Sequence, residues 1–156
     1  VRAVVGWQQL PASIRAASGL ADPTYGDLFA IRTAGHPHAD AEAWARTILE
    51  QTPTGRSAPR LWRLLGLRLG PSGSSEHVQG WEIVDRAPRH VCLATASWAM
   101  RARAVVWVDG EEVALALLVR FERRAAWLFW PGVAVLHRKA VPVMLRQAVR
   151  QFEPAA

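Results

Sequence analysis

The tightest constraint on the fold lies between residues 80 and 123. Four strand-like runs follow one another there: "GWEIVDR" (80–86), "HVCLATASW" (90–98), "MRARAVVWVD" (100–109) and "EVALALLVRFER" (112–123). Only short turns separate them. A parallel pair needs a crossover of about a dozen residues or more, whereas antiparallel neighbours can be joined by a tight hairpin. The spacing therefore predicts an antiparallel sheet. "RAPR" and "DGE" supply turns, and Asp109-Gly110 is a strong hairpin signal. In the run 100–109, Arg101, Arg103, Val105 and Trp107 point one way. Met100, Ala102, Ala104, Val106 and Val108 point the other, because strand side chains alternate. One face is apolar and the other mixed.

Upstream, residues 1–23 are mixed in character, with Pro11, Gly19 and Pro23 as breaks. "TYGDLFAIRT" (24–33) reads as the first strand. Asp40 is placed to cap a helix through "AEAWARTILEQ", whose apolar face is Ala41, Trp44, Ala45, Ile48 and Leu49. "TPTGRS" breaks that helix. "APRLWRLLGLRLG" (58–70) predicts a second, with Leu61, Leu64 and Leu65 on one face and Arg60 and Arg63 on the other. "SGSSEHVQG" follows as the segment expected to be most mobile.

The chain closes on "LFWPGVAVLHRKAVPVMLRQAVRQF" (128–152), an apolar run that turns into a basic helix. His137, Val141, Met144 and Ala148 share a face, with Leu145 and Phe152 beside them, while Lys139, Arg146 and Arg150 lie opposite. Pro142 predicts a break or kink. A strand, two helices, a run of antiparallel strands and a long terminal helix make an α+β order, not a wound parallel sheet. Residues 1–156 are expected to form one domain with its core at about 24–152.

Composition narrows the function classes. Eight tryptophans in 156 residues imply a bulky core or the wall of a cavity for an apolar or flat ligand. Net charge is +6, and Lys139 is the only lysine. The arginines are scattered, which fits the base composition of a GC-rich bacterial genome better than a dedicated nucleic-acid stripe. The lone Cys92 excludes an internal disulfide and reads as a buried thiol. The uncharged run Ala125–His137 is too short to span a bilayer and carries Pro131 and Gly132. No signal peptide pattern is evident at the start. A cytoplasmic protein without a cofactor is the expectation, as a monomer or homodimer.

The order of elements, and the stretches that carry it, resemble the helix-grip superfamily of START-like, polyketide-cyclase-like (SRPBCC) domains. The matching stretches are "YGDLFAIRT", "AEAWARTILEQ", "RLWRLLGLRLG", "VALALLVRFERRAAWLFW" and "VLHRKAVPVMLRQAV". Within that superfamily the chain is similar to a bacterial domain of unknown function that also occurs fused to dehydrogenase-like dinucleotide-binding modules. The resemblance implies a curved antiparallel sheet wrapped around a long C-terminal helix, two short helices after the first strand, and a cavity between sheet and helix for an apolar ligand. The family pattern carries acids and a histidine in the hairpin near 94–103. This chain reads "ATASWAMRAR" there and has no acid, which lowers the expectation of catalysis.

The candidate ligand-binding residues are Trp81, Trp98, Arg101, Arg103, Trp107, Arg120, Phe121, Trp130, His137 and Met144. The aromatics, Met144 and His137 would wall an apolar cavity, and the arginines would pair with an anionic headgroup at its mouth. The same arginines also suit a solvated sheet face. His137 suits a core histidine bonded to backbone, with no carboxylate assigned beside it. In a functional role it would hydrogen-bond a ligand carbonyl or act as a general base; with an arginine stabilising an enolate, it would make a cyclase- or dehydratase-like enzyme. His36, His38 and Asp40 in "HPHAD" are spaced as metal ligands can be, but a turn with a capping Asp explains them, and no metal is expected. Ser97 forms no nucleophile arrangement, and "PTGRS" lacks the lysine of a phosphate loop. A third class is an interaction module that docks a partner or a second copy through its mixed sheet face.

Overall fold

A computed structural model describes residues 1–33 and 39–152. The elements are β1 (Arg2–Val5), α1 (Ala12–Ser18), β2 (Tyr25–Arg32), α2 (Ala41–Arg46), α3 (Pro53–Leu64), β3 (His77–Val78), β4 (Trp81–Arg86), β5 (His90–Ala96), β6 (Met100–Asp109), β7 (Glu112–Phe121) and α4 (Ala125–Phe152). A π-helical turn, Thr47–Gln51, extends α2. The strands form one antiparallel sheet in the order β1-β2-β7-β6-β5-β4-β3. It curves around α4 in the α+β helix-grip arrangement.

The hairpins behave as their spacing requires. Asp109 pairs with Glu112 across a two-residue turn in which Gly110 takes φ +57°, a conformation glycine adopts without steric cost. The closing contact is long-range: β2 pairs with β7 along its whole length, from Tyr25↔Val119 to Arg32↔Glu112. This register decides what α4 meets. Tyr25, Asp27, Phe29 and Ile31 share the concave side of β2, because side chains alternate.

Two cores lie on the two faces. The larger joins Met100, Ala102, Ala104 and Val106 of β6 to Trp44 and Ile48 and to Val141, Met144, Leu145 and Ala148 of α4. The smaller lies on the convex side, where Leu10 and Ile14 cover Leu28, Cys92, Val105, Ala116 and Leu118. The N-terminal 23 residues, without assigned elements in the sequence, therefore form β1 and α1, and α1 shields the convex face. The "mixed" face of β6 is mixed because part of it is core.

Two local expectations are corrected. The first concerns α3, which begins at Pro53, so "TPTGRS" opens this helix as well as ending the one before it. Thr52 accepts from Gly55 N at 3.0 Å, and Pro53 occupies the first turn, where its missing N–H costs nothing. The helix stops at Leu64, not at residue 70. Gly66 takes φ +76°, Gly66 N donates to Arg63 O and Leu67 N to Trp62 O, which is a glycine-terminated C-cap. Leu64, expected on the apolar face, is 83% exposed.

The second correction is at Pro142, which does not break α4; the helix is continuous from Ala125 through Pro131 and Pro142. An interior proline costs about 3 kcal/mol. Burial of Val141, Met144, Leu145, Ala148 and Val149 around it outweighs that, at about 1.5–3 kcal/mol for each large side chain. The carbonyl that loses its partner belongs to Arg138, an exposed residue that water can reach.

The segment 70–79 is tied to α2. Arg46 donates to the carbonyls of Ser74, Ser75 and His77, and its guanidinium also pairs with Glu42 at 2.8 Å. No helix among the described residues is long and apolar enough to cross a membrane.

Candidate functional site

A cavity of about 310 Å³ lies between the concave sheet face, α3 and α4. The sheet contributes Trp81 from β4, Met100, Ala102 and Ala104 from β6, and Leu115, Leu117 and Val119 from β7. Small residues at 102 and 104 keep the floor low, so the space is not filled from below. α3 and the segment after it add Leu61, Trp62, Leu65 and Leu67, and α4 adds Trp130, Val133, Leu136, His137, Ala140, Val141 and Met144. Thr54, Ser57 and His137 are the polar side chains on the wall.

Of the residues expected at the site, Trp81, Trp130, His137 and Met144 line this cavity. Phe121 stands behind Trp130, ring centroids 5.9 Å apart, and outside the lining. The others lie elsewhere, Trp107, Arg101, Arg103 and Arg120 for reasons of strand parity and Trp98 because it sits in a turn. Trp107 is on the convex side, stacked on His90 at 5.2 Å. Trp98 is 59% exposed in the β5–β6 turn, against Gly66. Arg101 and Arg103 line an open surface groove with Trp98, Arg68 and Arg123. Arg120 and Arg101 both point to Glu122, at 3.7 and 3.2 Å. The arginines do not stand at the mouth of the interior cavity.

On the convex face, Leu10 and Ile14 of the N-terminal segment cover part of the sheet. Among the described residues, half of the large exposed apolar side chains are on α4: Trp127, Leu128, Val135, Leu136 and Val143. Ser97 is a turn former, its Oγ accepting from the backbone N of Ala99 and Met100. His36 and His38 lie outside the described residues. Asp40 caps α2 by accepting from Ala43 N at 2.8 Å. Among the described residues no cluster of three His, Cys, Asp or Glu side chains could hold a metal ion.

The main addition to the site is Asp27. It is fully buried on β2 and faces α4. Its Oδ1 lies 3.1 Å from His137 Nε2, and its Oδ2 accepts from the Tyr25 hydroxyl at 2.5 Å. Arg138 Nε donates to the same hydroxyl at 3.0 Å, with its guanidinium 5.4 Å from the Tyr25 ring centre. His137 is thus bonded to a buried carboxylate, not to backbone. Burial, followed by the bond to Asp27 and its charge, pushes the Tyr25 phenol well above the usual tyrosine range. The hydroxyl therefore stays protonated as the donor to Asp27.

Asp27 was legible as an anomaly. In "YGDLFAIR" it shares a strand face with Tyr25, Phe29 and Ile31, and an acid on an aromatic, buried face requires partners. Which partners it finds is decided by α4. Three indole N–H groups, Trp44 Nε1, Trp81 Nε1 and Trp130 Nε1, are buried without an acceptor among the described residues; those of Trp81 and Trp130 belong to the cavity wall. Comparison of the chain with protein-family models, curated proteins and solved structures finds no significant match.

Proposed function

We propose that this chain is a START-like helix-grip protein that binds a small apolar or lipid-like molecule between its sheet and α4. The observation that carries the reading is the apolar cavity of about 310 Å³, left open because Ala102, Ala104 and Ala140 stand where larger residues would fill it. That volume is near the lower end of the range of about 300–1,000 Å³ for small-molecule sites. A single short acyl segment or a fused bicyclic ring fits it; a two-chain phospholipid does not. Rings of Trp62, Trp81 and Trp130 give flat apolar surface, as an aromatic or alicyclic ligand requires.

Native mass spectrometry of the protein after exposure to a lipid extract tests the proposal. A bound mass is expected in the wild type. Filling the cavity with Ala102→Leu and Ala104→Leu together should abolish it while leaving the fold intact. A bound mass retained by the filled variant would place the ligand elsewhere and end this reading.

One observation favours a second reading, catalysis by general base. Asp27 holds His137 as an orienting carboxylate holds a catalytic imidazole. A cyclase- or dehydratase-like step would use the same cavity, with His137 taking a proton from the bound substrate. His137→Ala retaining full turnover on an identified substrate would exclude it.

A further inference from the structure

The donors and acceptors around Asp27 also bear on the chemistry of the ligand. Arg138 Nε can only donate, and it occupies a lone pair of the Tyr25 oxygen at 3.0 Å. Tyr25 therefore spends its own proton on Asp27 Oδ2, at 2.5 Å. The fully buried Asp27 carboxylate accepts that bond, and its Oδ1 is free to accept a second from His137 Nε2. The bond to Asp27 Oδ1 takes the tautomer with the imidazole proton on Nε2. In that tautomer Nδ1 is a bare lone pair.

His137 is part of the cavity wall, and Nδ1 has no hydrogen-bond partner among the described residues. Its neighbours on that wall are Val133, Leu136, Ala140 and Val141, none of which offers a donor. An acceptor set in an apolar wall discriminates strongly, because a ligand without a donor leaves it desolvated and unpaired.

We infer that the ligand is an apolar molecule carrying one hydroxyl, phenolic or enolic O–H, which donates to His137 Nδ1. This rests on the cavity-binding reading above and names a polar group of the ligand that reading leaves open. An ionised carboxylate at the same end is disfavoured, because it brings no proton and adds a negative charge near Asp27. The same contact would be the starting geometry for proton abstraction.

Isothermal titration calorimetry with 2-naphthol, naphthalene and 2-methoxynaphthalene tests it, since the three share one ring system and differ in the donor. Binding of 2-naphthol at least about tenfold tighter than both others is expected, a ratio that corresponds to about 1.4 kcal/mol. In His137→Phe the three should bind alike. In Asp27→Asn the new amide can donate to Nε2, which moves the imidazole proton to Nδ1; the preference should then pass to the methoxy compound. Circular dichroism establishes that each variant is folded, and either variant alone suffices for the test. Equal affinity of the wild type for all three would overturn the hydroxyl inference and leave the cavity reading standing. Binding of none would overturn both. A naphthol preference that survives in folded His137→Phe, or unchanged in folded Asp27→Asn, would also overturn the inference.

Discussion

Replacing His137 with phenylalanine isolates the energetic role of the Asp27 pair. Phenylalanine keeps a planar ring of similar size in the wall, so no large void opens. What is lost is the bond from Nε2 to Asp27 Oδ1, 3.1 Å long. Asp27 is 0% exposed and His137 20% exposed at the side chain, so water reaches one partner only. Breaking a fully buried charge pair costs about 3–5 kcal/mol, and losing a hydrogen bond to a charged group costs about 1.5–3 kcal/mol. With one partner wet, and Tyr25 still donating to the carboxylate, the lower range applies, and we expect about 2 kcal/mol. At about 2–4 °C per kcal/mol for a chain of this size, the melting temperature should fall by about 4–8 °C.

Asp27→Leu and the double variant complete the cycle. If the two groups act on one another, the double variant loses less than the sum of the singles, with a coupling of about 2 kcal/mol. Urea unfolding read by tryptophan fluorescence and by circular dichroism gives all four stabilities. A coupling within about 0.5 kcal/mol of zero would mean that the pair is adventitious, and the argument for an oriented His137 would fall with it.

Other consequences follow from the same structure. The Tyr25 phenol is held protonated in the fold, so the unfolded chain releases its proton first as pH rises; stability is retained below about pH 10, the ordinary tyrosine value, and lost above it. Tyr25→Phe should flatten that alkaline decline in pH-dependent melting, and an unchanged slope would contradict it. Burial pushes the Cys92 thiol up to about 11, so Ellman's reagent at pH 8 should label it only on unfolding; rapid labelling of the native protein would show the convex core to be open. Gly26→Ala places a Cβ 2.6 Å from Trp7 Cβ and 2.8 Å from Trp7 Cα; we expect a loss of more than about 1 kcal/mol in urea unfolding, as overpacking gives, and a neutral effect would mean the first turn shifts freely. Thr52→Ala removes the α3 cap and the 2.6 Å bond to Ile48 O, with an expected loss of about 1–2 kcal/mol.

How much could be read in advance depends on the range of the interactions. The hairpins from β4 to β7 were legible because a short turn and a period-two pattern are local properties. The same holds for the buried face of α4, where Val141, Met144 and Ala148 recur at helical spacing. β1 and α1 were not legible: a four-residue, mostly exposed edge strand has no alternation to show, and α1 offers Ile14 as its one large buried side chain. Pro142 misled because local strain was weighed without the burial around it. Trp107, Arg101, Arg103 and Arg120 were taken for site residues on residue type, yet strand parity had already set them opposite Ala102 and Ala104.

The sequence alone determined an antiparallel sheet, a long terminal helix with one apolar side, and His137 on that side, since periodicity and turn chemistry act over a few residues. Tertiary structure alone decided that Asp27 and His137, 110 positions apart, share a hydrogen bond and that alanines leave a space beside them. Pairing of β2 with β7 and the seating of α4 bring those groups together, and no local pattern encodes a distance across the sheet.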